Sequence, residues 1–61
     1  MKPKCKLIGQ DGNIFNLLGI ASKTLKEAGL KSQADEMAAR VYDSKSYMEA
    51  LAIISEYVEV E

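Results

Sequence analysis

The chain has no histidine, no tryptophan, one proline and a single cysteine among its 61 residues. Each scarcity removes a class of function. One cysteine allows no internal disulfide framework. Without histidine there is no zinc-finger ligand set and no Ser/His or Cys/His nucleophile pair. Apolar runs are short: Leu7-Ile8 stops at Gly9, and the longest helix-like run, Ala50 to Ile54, falls far below a bilayer span. The expectation is therefore a chain with no signal peptide and no membrane segment, its lone thiol suited to a reducing cytoplasm. A composition of 48% hydrophobic and 28% charged residues belongs to a folding chain, not a disordered one.

Length sets the energetics. A 6.7 kDa chain is one small domain, residues 1–61. Surface scaling puts roughly 60% of its unfolded surface out of water, of which roughly 3,500 Å² is apolar. At about 25 cal/mol/Å² that burial contributes roughly 90 kcal/mol, and ordering the chain costs roughly the same. The balance lies near zero, so a partner or a second copy would help.

Charge is nearly neutral overall, at −1, but unevenly spread. Residues 1–31 hold six lysines against Asp11 and Glu27, a local +4. Residues 32–61 hold Arg40 and Lys45 against seven acids, a local −5. Attraction between the halves within one fold is the plain reading. Contact of the basic half with nucleic acid is the sharper one, and a pI near 5.3 argues against it.

Lys4 to Ile8 alternates as a short strand does, with Cys5 and Leu7 on one side. Gly9-Gln10-Asp11-Gly12-Asn13 is a turn cluster, and Asn13 is placed to cap a helix. Helix one is expected over about Ile14 to Ala28, with Ile14, Leu17, Leu18, Ala21, Leu25 and Ala28 on one face and Gly29 as its stop. Ser32, followed by Asp35, predicts the start of helix two, with Ala34, Met37, Ala38 and Val41 inward and Tyr42 at the rim. Ser46-Tyr47-Met48-Glu49 is a capping box for helix three. Its main stripe is Tyr47, Ala50, Leu51, Ile54 and Val58, with Met48, Ala52 and Ile53 outside it. The alternating end, Tyr57 to Glu61, predicts a strand with Val58 and Val60 inward and Glu59 and Glu61 facing Lys4 and Lys6. No Gly or Pro separates it from helix three, so a simple continuation of the helix stays open. The expected fold is mainly α: a small three-helix domain, with a short two-stranded ribbon where the termini pair.

Leu7-x-Gly9-x-Asp11-Gly12-Asn13-x-Phe15, then Gly19 and Leu25-x-x-Ala28-Gly29, resembles a family of very short bacterial and phage-borne proteins. Those proteins carry an Asp-Tyr pair opening the last helix and end in Trp-Val-Glu-Val. Ser46-Tyr47 and Tyr57-Val58-Glu59-Val60 stand in those places. The resemblance covers almost the whole chain and implies a shape and a mobile-element setting, with no assigned reaction.

Several local patterns invite chemistry, and each has a plainer account. Gly9-x-x-Gly12-Asn13 lacks the Gly-Lys-Ser/Thr ending of a phosphate loop and reads as a turn with a cap. Asp11 with Asn13 lacks the later glycine and closing glutamate of a calcium loop. Neither a metal nor a cofactor is expected. Gly19 inside a helix predicts a closely crossing helix or room for the Phe15 ring. Cys5 reads as a small buried hydrophobe. Tyr42, Tyr47 and Tyr57 are expected to line the core with hydroxyls at its edge. A helix-turn-helix centred on Gly29 would place Asp35 and Glu36 against phosphates, so that register fails.

The expected function is that of a non-catalytic cytoplasmic accessory protein acting by protein–protein interaction, self-association included. Ile20, Met48 and Ile53, left outside the main stripes, are the expected interface of a homodimer. The alternative is a nucleic-acid-associated protein of a mobile element or phage. An enzyme ranks third, because the chain is too small to enclose a typical pocket of about 300 Å³ or more.

Overall fold

Asn13 closes a turn and opens the first helix in one step. Its Oδ1 accepts the N–H of Phe15 at 2.9 Å, and its carbonyl accepts the N–H of Leu17. These are the bonds of an N-cap. The computed structural model describes all 61 residues, and α1 spans Ile14–Glu27. The helix stops at Gly29, whose φ of +78° suits glycine. There the Leu30 N–H bonds the Leu25 carbonyl at 2.8 Å and the Gly29 N–H bonds that of Lys26 at 3.0 Å, a Schellman closure.

That closure explains a departure from expectation. Leu30, packed against the core, is itself the residue before α2 (Lys31–Tyr42). The chain re-enters a helix at once, so Ser32 lies inside α2 and caps nothing. Asp35 pairs instead with Lys31, one turn back, at 2.9 Å. The Ser46 box does form at the start of α3 (Tyr47–Tyr57): Ser46 Oγ accepts the Glu49 N–H at 3.0 Å. Glu49 reaches back to the N–H of Lys45, one residue before the cap, also at 3.0 Å.

The ends of the chain pair as a parallel ribbon of β1 (Lys4–Cys5) and β2 (Glu59–Val60), in register Lys4 to Glu59 and Cys5 to Val60. Helix three therefore does not continue. Val58 is already extended, with φ −131° and ψ 152°, a conformation its β-branched side chain favours. Glu59 stands opposite Lys4 as expected, but no ion pair forms there within 4 Å. Val58 is buried. Val60 is not: it is exposed, contrary to the inward placement expected of it, because an open groove lies beneath it.

The core is wholly apolar. Fourteen residues form one cluster, drawn from all three helices with Cys5, Leu7 and Val58 from the chain ends, and no polar or charged residue is buried. The exposed surface of 4001 Å² matches the roughly 3,900 Å² expected for a chain of this mass, so the domain is closed as tightly as its size permits. Cys5 is buried as a small hydrophobe, with the Thr24 hydroxyl 3.5 Å from its sulfur.

Gly19 has neither of the packing reasons expected of it. No atom lies within 4 Å of where its Cβ would stand, and its φ is not positive. Gly19→Ala is thus expected to stabilise the domain by about 0.5–1 kcal/mol, through chain entropy and helix propensity. Urea denaturation measures it, and a lower midpoint would refute the open surroundings of that residue.

Candidate binding face

The Asp-Gly-Asn turn is braced from both directions. Asp11 Oδ1 accepts the Asn13 N–H at 2.9 Å, and the Asp11 carbonyl accepts Asn16 Nδ2 at 2.9 Å. Between them, the Gly12 carbonyl accepts a hydrogen bond from the Tyr47 hydroxyl, across 35 residues of sequence. A Cβ on Gly12 would stand 3.5 Å from that hydroxyl. The turn motif and the residue opening α3 are thus one assembly. The Asp11-to-Asn13 bonds hold backbone and present no free anion cradle.

Tyr47 is the ridge between two grooves. The first, about 330 Å³, lies between the start of α1 and the α2–α3 joint, walled by Ile14, Phe15, Val41, Tyr42 and Ala50 with Lys45 at its edge. Phe15 and Tyr42 pack on each other with ring centroids 6.1 Å apart, tilted by 32°. The second, about 320 Å³, is walled by Leu7, Ile8, Leu17, Leu51, Ile54 and Val60. Ile8, Phe15, Tyr42, Tyr47 and Val60 are exposed along this strip, between 39% and 70%. Met48, 72% exposed, extends it on the flank of α3 next to Tyr47.

Tyr42 and Tyr47 thus depart from the core role expected of them; only Tyr57 fills it. They are exposed because the short α2–α3 joint ends both helices at the surface, with the Phe15 ring as Tyr42's neighbour. The three expected interface residues do not form one patch. Met48 is exposed on the flank of α3 beside Tyr47, outside both grooves. Ile20 is half-buried and packed against the core. Ile53 is only 7% exposed, and five residues along a helix turn it roughly 140° from Met48. The sequence signals for Ile8 and Phe15 were present: both sit one residue off the inward pattern, Ile8 beside Leu7 and Phe15 beside Ile14.

On the far flank, α2 and α3 are clasped. Arg40 donates to both carboxylate oxygens of Glu56, at 2.8 and 3.1 Å, and to the Tyr57 hydroxyl at 3.1 Å. That hydroxyl donates to Glu36. The Arg40 hydrogen bond holds the Glu56 carboxyl below its usual range and pushes the guanidinium up, while the bond to Glu36 pushes the Tyr57 hydroxyl up. A shallow polar depression of about 360 Å³ lies over this clasp. Lys2, from the other end of the chain, donates to the Ser55 carbonyl near the end of α3 at 2.9 Å, where a cation suits the helix dipole.

The charge halves pair directly only where they join in sequence, at Lys31–Asp35. The two ion pairs are Lys31–Asp35 and Arg40–Glu56, and Lys4, Lys6, Lys23 and Lys26 meet no acid within 4 Å. No group of three or more His, Cys, Asp or Glu side chains is gathered for a metal, and no helix is long and apolar enough to cross a membrane. No family model matches the chain, and no curated protein and no solved structure matches it.

Proposed function

We propose that the chain is a non-catalytic cytoplasmic accessory protein that works by gripping another protein on the Tyr47-centred face. One observation carries the reading: a continuous exposed apolar strip joins two grooves across Tyr47. With ordinary side-chain areas, its six exposed residues present roughly 700 Å², above the few hundred typical of the largest patch on a monomer. The groove linings are apolar and hydroxyl-bearing, with Lys45 their one charged member, which suits adhesion better than proton transfer. The bacterial or phage-borne setting implied by the Asp-Gly-Asn-x-Phe resemblance belongs to the same proposal.

A photo-crosslinking amino acid placed at Tyr42 or Met48, in cells that make the protein, tests this. A discrete protein adduct from those positions, and none from Lys26 on α1, is the expected result. Equal labelling at all three, or none, would refute the reading.

Nucleic-acid association is the second reading, favoured by Lys4, Lys6, Lys23 and Lys26, exposed in the basic half and meeting no acid. Glu27, Glu59 and Glu61 lie on the same elements or beside them and break any continuous cationic face. The expected outcome is no binding to random duplex at low salt. Binding that falls steeply toward physiological salt would reverse the order of the two readings.

A further inference from the structure

We infer that the occupant of the Tyr47-centred face is a second copy of this chain, seated in a two-fold pair; this rests on the reading above. Area is the first reason. A standard interface takes about 800 Å² from each partner, and the exposed residues of the strip together offer roughly 700 Å², backbone included. A two-fold pair is self-complementary, so the same strip serves both sides. A domain whose own balance of burial and ordering lies near zero gains the most from such a contact.

Charge at the two ends of the strip supplies the orientation. Lys45 edges the first groove, and no acid lies within 4 Å of its ammonium. Glu49 is turned onto the Lys45 backbone N–H. At the other end Val60 is flanked by Glu59 and Glu61, both exposed and without a cation within 4 Å. The nearby Lys2 is taken up by the Ser55 carbonyl. Laying two strips antiparallel about a two-fold axis sets Lys45 of each copy toward Glu59 and Glu61 of the other. Parallel stacking would oppose like charges at both ends.

Sedimentation equilibrium at tens of micromolar decides the matter. The wild-type chain is expected near twice 6.7 kDa, with a melting temperature that rises with concentration. Ile8→Glu with Met48→Glu changes only exposed side chains, and the pair is expected to sediment as a 6.7 kDa species with unchanged helical circular dichroism. Should that variant unfold, charge reversal still tests the orientation. Lys45→Glu alone should weaken association about five- to tenfold, and Glu59→Lys with Glu61→Lys should restore it. A wild-type chain of 6.7 kDa throughout, or a dimer indifferent to all of these changes, overturns the inference. A monomer that still crosslinks to a different protein from positions 42 and 48 overturns the pair alone. A monomer with no adduct overturns the pair and the proposed function together.

Discussion

Ile53→Ala is expected to cost about 2–4 kcal/mol, the range for truncating a buried isoleucine, whereas Met48→Ala should shift stability by less than about 0.5 kcal/mol. The contrast follows from burial: Ile53 is 7% exposed and Met48 is 72% exposed on the same helix. Truncating Ile53 opens a cavity between α2 and α3 beneath the Arg40–Glu56 clasp. Measured by urea denaturation at low micromolar concentration, where pairing contributes least, the two variants should separate clearly. Equal small losses would mean that α3 presents its other face to the core.

The same pair of residues shows why that face was hard to read. Helix three is apolar at positions 47, 48, 50 to 54, 57 and 58, so a 3.6-residue period fits more than one inward stripe. What selects among them is packing against α1 and α2, which buries Ala50, Ile53, Ile54 and Tyr57 together, with the exposed Arg40–Glu56 pair set beside them from sixteen residues away. No local motif encodes that. Helix ends are a different case. Asn13, Gly29 and Ser46 act within four residues of themselves, and each was legible as a cap or a stop. Ser32 carries the same local signal yet lies inside α2, because the Schellman closure places Leu30 where α2 begins. For the candidate face, the outward positions of Ile8 and Phe15 could be inferred from their inward neighbours. The contact that unites the face, Tyr47 to the Gly12 carbonyl, joins two motifs that only the folded chain brings together.

Tyr57→Ala should have the largest effect of any single change, about 3–5 kcal/mol as for other buried aromatics, enough to unfold most of a population so near balance. The ring is buried in the core while its hydroxyl joins Glu36 and Arg40 at the surface. Tyr57→Phe separates the two parts. It keeps the ring and removes the hydroxyl, and should cost about 1–2 kcal/mol, the low end for a hydrogen bond to a charged group because Glu36 and Arg40 are exposed. Its pH dependence identifies the cause. The bond to Glu36 raises the Tyr57 hydroxyl above its ordinary value of 10.0 in the folded state. The stability it contributes is therefore complete below pH 10.0 and is lost as pH rises through the higher folded value. The wild-type advantage over Tyr57→Phe should accordingly hold from neutral pH to about 10 and then shrink. At the acid end the carboxylate partner of Arg40 behaves oppositely. Glu56 is held below its ordinary 4.5 by Arg40, so its contribution stands above pH 4.5 and fades as pH falls through the lower folded value. Chemical denaturation of wild type and Tyr57→Phe across that span measures both limbs. A gap between them that stays constant through the alkaline limb would show that the hydroxyl is not tied to Glu36.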